Sequence, residues 1–130
     1  MPIAVGKEKG KLKFNLKNED NQTGWGGLSL NKDSNLIEVD VCTLDDYAAA
    51  NNISKINVLK IDTEGADTWV LYGAKELLRN KKIDHIFFEN NMERMRLLNI
   101  APNDAKDFLE KLDYVVKQQS PDDFYAYPRR

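Results

Sequence analysis

The stretch Val58-Leu59-Lys60-Ile61-Asp62-Thr63-Glu64-Gly65-Ala66-Asp67-Thr68-Trp69-Val70 decides the reading of the chain. Its first four residues are a short, mainly apolar run, and the polar turn Asp62 to Gly65 follows at once. After Gly65 the apolar residues Ala66, Trp69, Val70, Ala74, Leu77 and Leu78 recur at helical spacing, which predicts one helix of about four turns. Arg79, Lys81 and Lys82 close it, where cations complement the helix dipole. Strand, polar turn and helix in that order make the unit from which α/β sheets are built.

On the C-terminal side, Ile83 to Phe88 is apolar except for Asp84 and His85, the pattern of a strand covered by helices on both faces. His85 reads as partly buried or facing such a helix. Glu89-Asn90-Asn91 leads into a helix in which Met92, Met95 and Leu98 serve as core filler. Pro102-Asn103-Asp104 opens another helix, and Tyr114 to Val116 and Phe124 to Tyr127 predict a closing antiparallel strand pair. On the N-terminal side, Leu36 to Val41 alternates as a strand with one wet face. Thr43 then caps a short helix, with Asp46 at the capping-box position. Lys11 to Leu16 also alternates, and Gly6 to Gly10 reads as the turn of an N-terminal hairpin or of a strand with a bent return. Asn18 to Asn35 has loop composition, in which Trp25 between glycines either anchors the loop or closes over a ligand.

With 130 residues the chain is expected to form a single domain over 1–130. Nineteen Lys and Arg against 21 Asp and Glu leave a charge of -2, too balanced to steer the molecule toward nucleic acid. The one cysteine, Cys42, allows no intrachain disulfide and suits a cytoplasmic setting. No apolar run approaches the roughly 20 residues that span a bilayer, so no membrane partner is expected.

Ligands of open parallel sheets sit beyond the carboxyl ends of the strands. If the strands Val58 to Ile61 and Ile83 to Phe88 are parallel neighbours, Asp62 and Glu89 face one crevice, with Glu64 and Asn90 beside them. Two carboxylates and an amide suit a hard divalent metal such as magnesium, giving Asp62, Glu89 and Asn90 as candidate ligands. The same carboxylates suit a hydroxyl substrate, with one of them as general base. A structural reading stands beside both: Asp62 caps the helix, Glu64 favours its positive end, and Asn90 or Asn91 caps the next helix. Glycine-rich phosphate loops, paired CxxC motifs, HExxH and the nucleophile elbow are all missing from the sequence.

The runs Val41 to Tyr47, Ile56 to Asp67, Val70 to Leu78 and Ile83 to Glu89 together resemble the FkbM-type S-adenosylmethionine-dependent methyltransferase family, most specifically in Lys60-Ile61-Asp62-Thr63-Glu64-Gly65. The resemblance implies an α/β, Rossmann-like class I methyltransferase sheet that is partial here, with helices packed on it and an antiparallel C-terminal strand pair. It also implies transfer of a methyl group to a hydroxyl of a small molecule or sugar. By resemblance, Asp62 corresponds to the family residue at the fourth strand end, close to the methyl acceptor. With the crevice reading this gives Asp62 and Glu89 as candidate catalytic residues and Asp62, Glu64, Asn90 and Trp25 as candidate acceptor contacts, Asp62 orienting or deprotonating the hydroxyl and Glu89 with Asn90 organising the pocket. The placement of Asp62, Glu89 and Asn90 is also similar to the metal set of magnesium-dependent catechol O-methyltransferases.

The family's Asp-x-Gly-Ala-Asn-type loop and its acidic second strand end, which serve the cofactor, have no counterpart among the 130 residues. The resemblance therefore covers the C-terminal part of the family domain. S-adenosylmethionine is the cofactor of the full domain, and this chain alone is expected to bind it weakly or not at all. A separate N-terminal methyltransferase half is an expected partner. An open sheet edge further leads to the expectation of a homodimer. The alternatives are a noncatalytic α/β oligomerisation or assembly module, a small metal-dependent hydrolase and a sugar-binding module.

Overall fold

A computed structural model describes residues 3–15, 27–28 and 36–130. The described strands form two four-stranded sheets rather than one continuous sheet. The N-terminal sheet contains β1 (Ile3–Val5), β2 (Gly10–Asn15), β3 (Gly27–Leu28) and β4 (Leu36–Cys42), in the order β1-β4-β2-β3. Of the two expectations for Gly6 to Gly10, the strand with a bent return is the one that forms: β1 and β2 do not pair with each other. Strand β4 lies between β1 and β2, parallel to the first and antiparallel to the second. Alternation along β4 turns Val39 and Val41 inward, and that strand is the common partner that both flanking strands need.

Helix α1 (Leu44–Ala50) follows β4, and the Thr43 hydroxyl accepts from Asp46 N at 3.1 Å, as the capping pattern requires. The second sheet has the order β5-β6-β8-β7, with β5 (Ile56–Lys60), β6 (Ile83–Glu89), β7 (Tyr114–Gln118) and β8 (Asp123–Pro128). Strands β5 and β6 are parallel neighbours, and β7 and β8 form the expected antiparallel pair, with β8 against β6.

The helix expected to run through Ala66 to Leu78 is two helices, α2 (Asp67–Tyr72) and α3 (Lys75–Arg79). The break has a packing cause. A Cβ on Gly73 would stand 2.1 Å from the Gly6 carbonyl oxygen, so the close approach of the N-terminal segment requires glycine there. The broken helix is then secured from α1. Asp45 N donates to the Gly73 carbonyl, and the Asp45 carboxylate accepts from Glu76 N at 2.9 Å and Leu77 N at 3.0 Å. An acidic side chain from a neighbouring helix thus satisfies donors that the start of α3 would leave open.

Helices α4 (Met92–Leu97) and α5 (Asp104–Lys111) connect β6 to β7. The main core lies on one face of the second sheet, where Ile61, Ile86, Phe88 and Ala126 meet Val70, Leu71 and Leu78 from α2 and α3 and Ala105 and Leu109 from α5. Met95 is core, but Met92 is 46 % exposed, so only one of the two methionines fills the interior. Strand β6 departs further from expectation. Its Ile86 and Phe88 are buried, whereas His85 and Phe87 are exposed on the opposite face. Among the described residues, helices cover one side of this sheet only.

Candidate functional site

Strand β5 ends at Lys60, and the chain then turns through Asp62 to Gly65 before α2. Two consecutive residues take left-handed backbone: Glu64 with φ 54° and Gly65 with φ 103°. The glycine is required twice over, because its Cβ position lies 2.3 Å from Arg94 Cβ on α4. The Glu64 carbonyl meanwhile accepts from Arg94 Nε at 3.4 Å, so the turn is moulded against α4.

Sequence reasoning assigned no role to the residue that organises this region, Asp67. It is only 2 % exposed. Its Oδ1 accepts from Thr63 N at 2.9 Å and from the Thr63 hydroxyl, while Oδ2 accepts from Glu89 N at 2.9 Å. One buried carboxylate therefore ties the turn after β5 to the end of β6. The signal was present in the sequence: Asp67 falls on the same helical stripe as Val70, Leu71, Ala74 and Leu78, where a carboxylate is out of place unless hydrogen-bonded.

Asp62 and Glu89 fall in one electrostatic neighbourhood at the ends of adjacent parallel strands, but only Asp62 lines the cleft beside β5. Burial pushes the Glu89 carboxyl above its ordinary range, and the charges of Asp62, Asp123, Asp67 and Glu64 push it the same way. Asp62 does not cap the following helix, since Ala66 occupies that position with no side-chain cap bond. It stands exposed at the mouth of a cleft of about 380 Å³, lined by Ile3 to Gly6, Leu12, Leu44, Leu59 to Glu64, Ala66, Trp69 and Val70. The cleft is mainly apolar inside and acidic at its mouth. Lys7 Nζ lies 4.4 Å from the centre of the Trp69 ring and closes one side.

Asn90 is oriented differently. It is 7 % exposed; its Nδ2 donates to the Pro102 carbonyl at 2.9 Å, and its Oδ1 is sealed from solvent without a hydrogen-bond partner. That amide nitrogen ties the end of β6 to the loop before α5. Among the described residues, no group of three His, Cys, Asp or Glu side chains could hold a metal ion. Asn91, not Asn90, caps α4, accepting from Arg94 N at 3.2 Å. Trp25 lies outside the described residues. His85 is exposed, and its Nδ1 is 2.7 Å from the Tyr125 hydroxyl, well away from the cleft lining.

Fold and site together define an α/β protein whose candidate ligand site lies at the carboxyl ends of two parallel strands. A family model described as the methyltransferase FkbM domain matches residues 2–116. The chain belongs to that methyltransferase family. Searches of curated proteins and of solved structures return no match. Among the described residues, no helix is long and apolar enough to cross a membrane.

The family implies S-adenosylmethionine, so the cleft was tested for a complete cradle. Its walls offer apolar surface and the carboxylates of Asp62 and Glu64, which suit a cation or a hydroxyl. The wall opposite β5 is the short strand β1, which contributes Ile3, Ala4 and Val5. Among the described lining residues of that wall, no acidic strand end of the kind a ribose diol needs is present.

Proposed function

We propose that this chain supplies the acceptor side of an O-methyltransferase acting on a hydroxyl of a small molecule or sugar. The strands β5-β6-β8-β7 then correspond to part of a Rossmann-like sheet. The observation that carries the reading is Asp62 at the mouth of an apolar cleft, with Glu89 in its electrostatic neighbourhood and the turn tied to the end of β6 by buried Asp67. Asp62 orients the acceptor hydroxyl by accepting its hydrogen bond and takes up that same proton as the oxygen reacts, while Glu89 beside it shapes the polar surroundings of the strand ends. Glu64 adds a polar contact at the rim, and the apolar wall excludes water from the reacting oxygen. On this reading the adenosyl group of the donor is held by residues other than the lining of this cleft. The lone Cys42 suits an intracellular, reducing setting.

The test is ligand-observed NMR with a panel of glycosides and small alcohols. Acceptor binding that Asp62→Ala abolishes, with the circular dichroism spectrum retained, is the expected result. Hits indifferent to both Asp62→Ala and Glu89→Gln would remove the acceptor assignment. Calorimetric titration with S-adenosylmethionine is expected to give no stoichiometric heat, and a micromolar complex would show that this chain carries its own cradle.

A second reading, an assembly module without catalysis, is favoured by the uncovered face of the second sheet. No observation favours a metal-dependent hydrolase.

A further inference from the structure

Strand β6 carries an unbroken apolar run, Ile86-Phe87-Phe88, which is the composition of a strand buried on both faces. The side opposite the core is nevertheless open among the described residues. By register it presents Val58 and Lys60 of β5, His85 and Phe87 of β6, Tyr125 and Tyr127 of β8, and Val115 and Lys117 of β7. Val58 is 59 % exposed and Phe87 37 %. The rings form a continuous patch: Phe87 and Tyr125 stack with centroids 4.9 Å apart, and Tyr125 lies 5.9 Å from His85 and 5.6 Å from Tyr127. A contiguous aromatic surface of this kind marks an interaction site rather than scattered exposed residues.

The charges around the patch are arranged by end. At the start of β6, Lys55 and Arg130 border a shallow hollow beside His85, Tyr125 and Tyr127, and they share one carboxylate, Asp84, at 3.0 and 2.7 Å. At the far end stand Glu89 and its register partner Asp123, close to Asp62 and Glu64. One end is therefore cationic on balance and the other strongly acidic. A second copy turned about a twofold axis that lies in the interface across the strands meets this surface with its own apolar patch. That rotation reverses strand direction, so the acidic end of each copy comes over the cationic end of the other. Sheet-on-sheet packing at about 10 Å is the geometry such a contact takes.

We propose that this open aromatic face is the interface of a twofold homodimer, closed face to face with the strands of the two copies antiparallel. The surface includes Val58 and Lys60 of β5, and its acidic end carries Glu89, Asp62 and Glu64 of the proposed acceptor site, so self-association is read by mass and acceptor binding by a separate titration.

Sedimentation equilibrium on the full chain, over a wide concentration range, is the decisive measurement. The expected mass rises from 14.9 kDa toward twice that value. Phe87→Glu, placed twice in the interface, should raise the dissociation constant on the order of 100-fold or more. Val58→Glu, on an exposed edge-strand position, provides the same readout if Phe87→Glu fails to fold. Lys55→Glu and Asp123→Lys should each weaken self-association, and an equimolar mixture of the two should restore it as a heterodimer. Three results would overturn the proposal: a monomer at every concentration, a dimer that survives both Phe87→Glu and Val58→Glu, or a mixture that recovers nothing. The second would point to edge pairing or exchange of the N-terminal strands. A monomer whose Phe87 resonances move on addition of a synthetic helical peptide with glutamates flanking a leucine stripe would assign the face to another polypeptide. One that responds only to oligothymidylate would assign it to single-stranded nucleic acid.

Discussion

Replacing Asp67 by alanine tests whether a single buried carboxylate builds the strand-end site. The substitution removes the acceptor for Thr63 N, the Thr63 hydroxyl and Glu89 N while those groups remain enclosed. The hydroxyl can rotate to another partner, but the two backbone donors are fixed by the turn and by β6. Leaving a buried donor unsatisfied costs about 1–3 kcal/mol, so two of them predict a loss of roughly 2–6 kcal/mol, toward the lower part of that range where water reaches these part-buried groups. A domain of this size has about 5–15 kcal/mol to lose, and the variant should remain folded near its lower limit. Asp67→Asn provides a second point. One amide oxygen can keep either the Thr63 or the Glu89 contact but not both, because the other atom is then a donor facing a donor. Its cost should fall between zero and that of alanine. Asp62→Ala, at an exposed position, should stay within about 0.5 kcal/mol of the parent. Urea unfolding followed by circular dichroism gives all three values. An Asp67→Ala variant within about 1 kcal/mol of the parent would refute the clamp.

Gly65→Ala should cost more than the roughly 1 kcal/mol of a left-handed alanine, because its methyl group also meets Arg94 Cβ; a thermal melt unchanged from the parent would contradict that contact. Asp45→Ala should lower stability by about 1–2 kcal/mol through loss of the bonds to Glu76 N and Leu77 N, with faster amide exchange at those two residues as the local readout. Glu89→Gln tests the raised carboxyl. A folded-state pKa above the unfolded one means stability is fully present below the unfolded pKa and is lost as pH rises through the folded value. The glutamine variant should therefore be more stable than the parent near pH 7, and the difference should shrink as pH falls into the ordinary carboxylate range. A stability difference independent of pH would separate Glu89 from the charges of Asp62 and Asp123.

The parallel relation of β5 and β6, which sets Asp62 and Glu89 at adjacent strand ends, was legible because local pattern alone encodes it. A short apolar run, a polar turn with glycine and an amphipathic helix leave few topologies once right-handed crossover is imposed. The features that were not legible depend on contacts distant in sequence. The periodicity of Ala66 to Leu78 continues through Gly73, and only the approach of Gly6 and the capping by Asp45 explain why the helix breaks there. The choice between a hairpin and a bent return at Gly6 to Gly10 was open for the same reason. Turn composition fixes that the chain bends, whereas the choice of partner strand was made by β4, more than 25 residues further on.

Strand β6 combines both cases. Its composition correctly indicates apolar contact on each face, yet composition carries no information about which polypeptide makes that contact. The side bearing Ile86 and Phe88 is covered by α2, α3 and α5, which the chain returns over the sheet through its own crossovers. Both crossovers, from β5 to β6 and from β6 onward, place their helices on that one side. Phe87, His85 and Tyr125 consequently keep an aromatic surface that the described helices do not reach. A sequence selected for two-sided burial and a fold that covers one side are reconciled if the second cover is intermolecular. Charge segregation along β6 then has a physical role: it favours the antiparallel register of two copies and disfavours the parallel one, in which acidic ends would oppose each other.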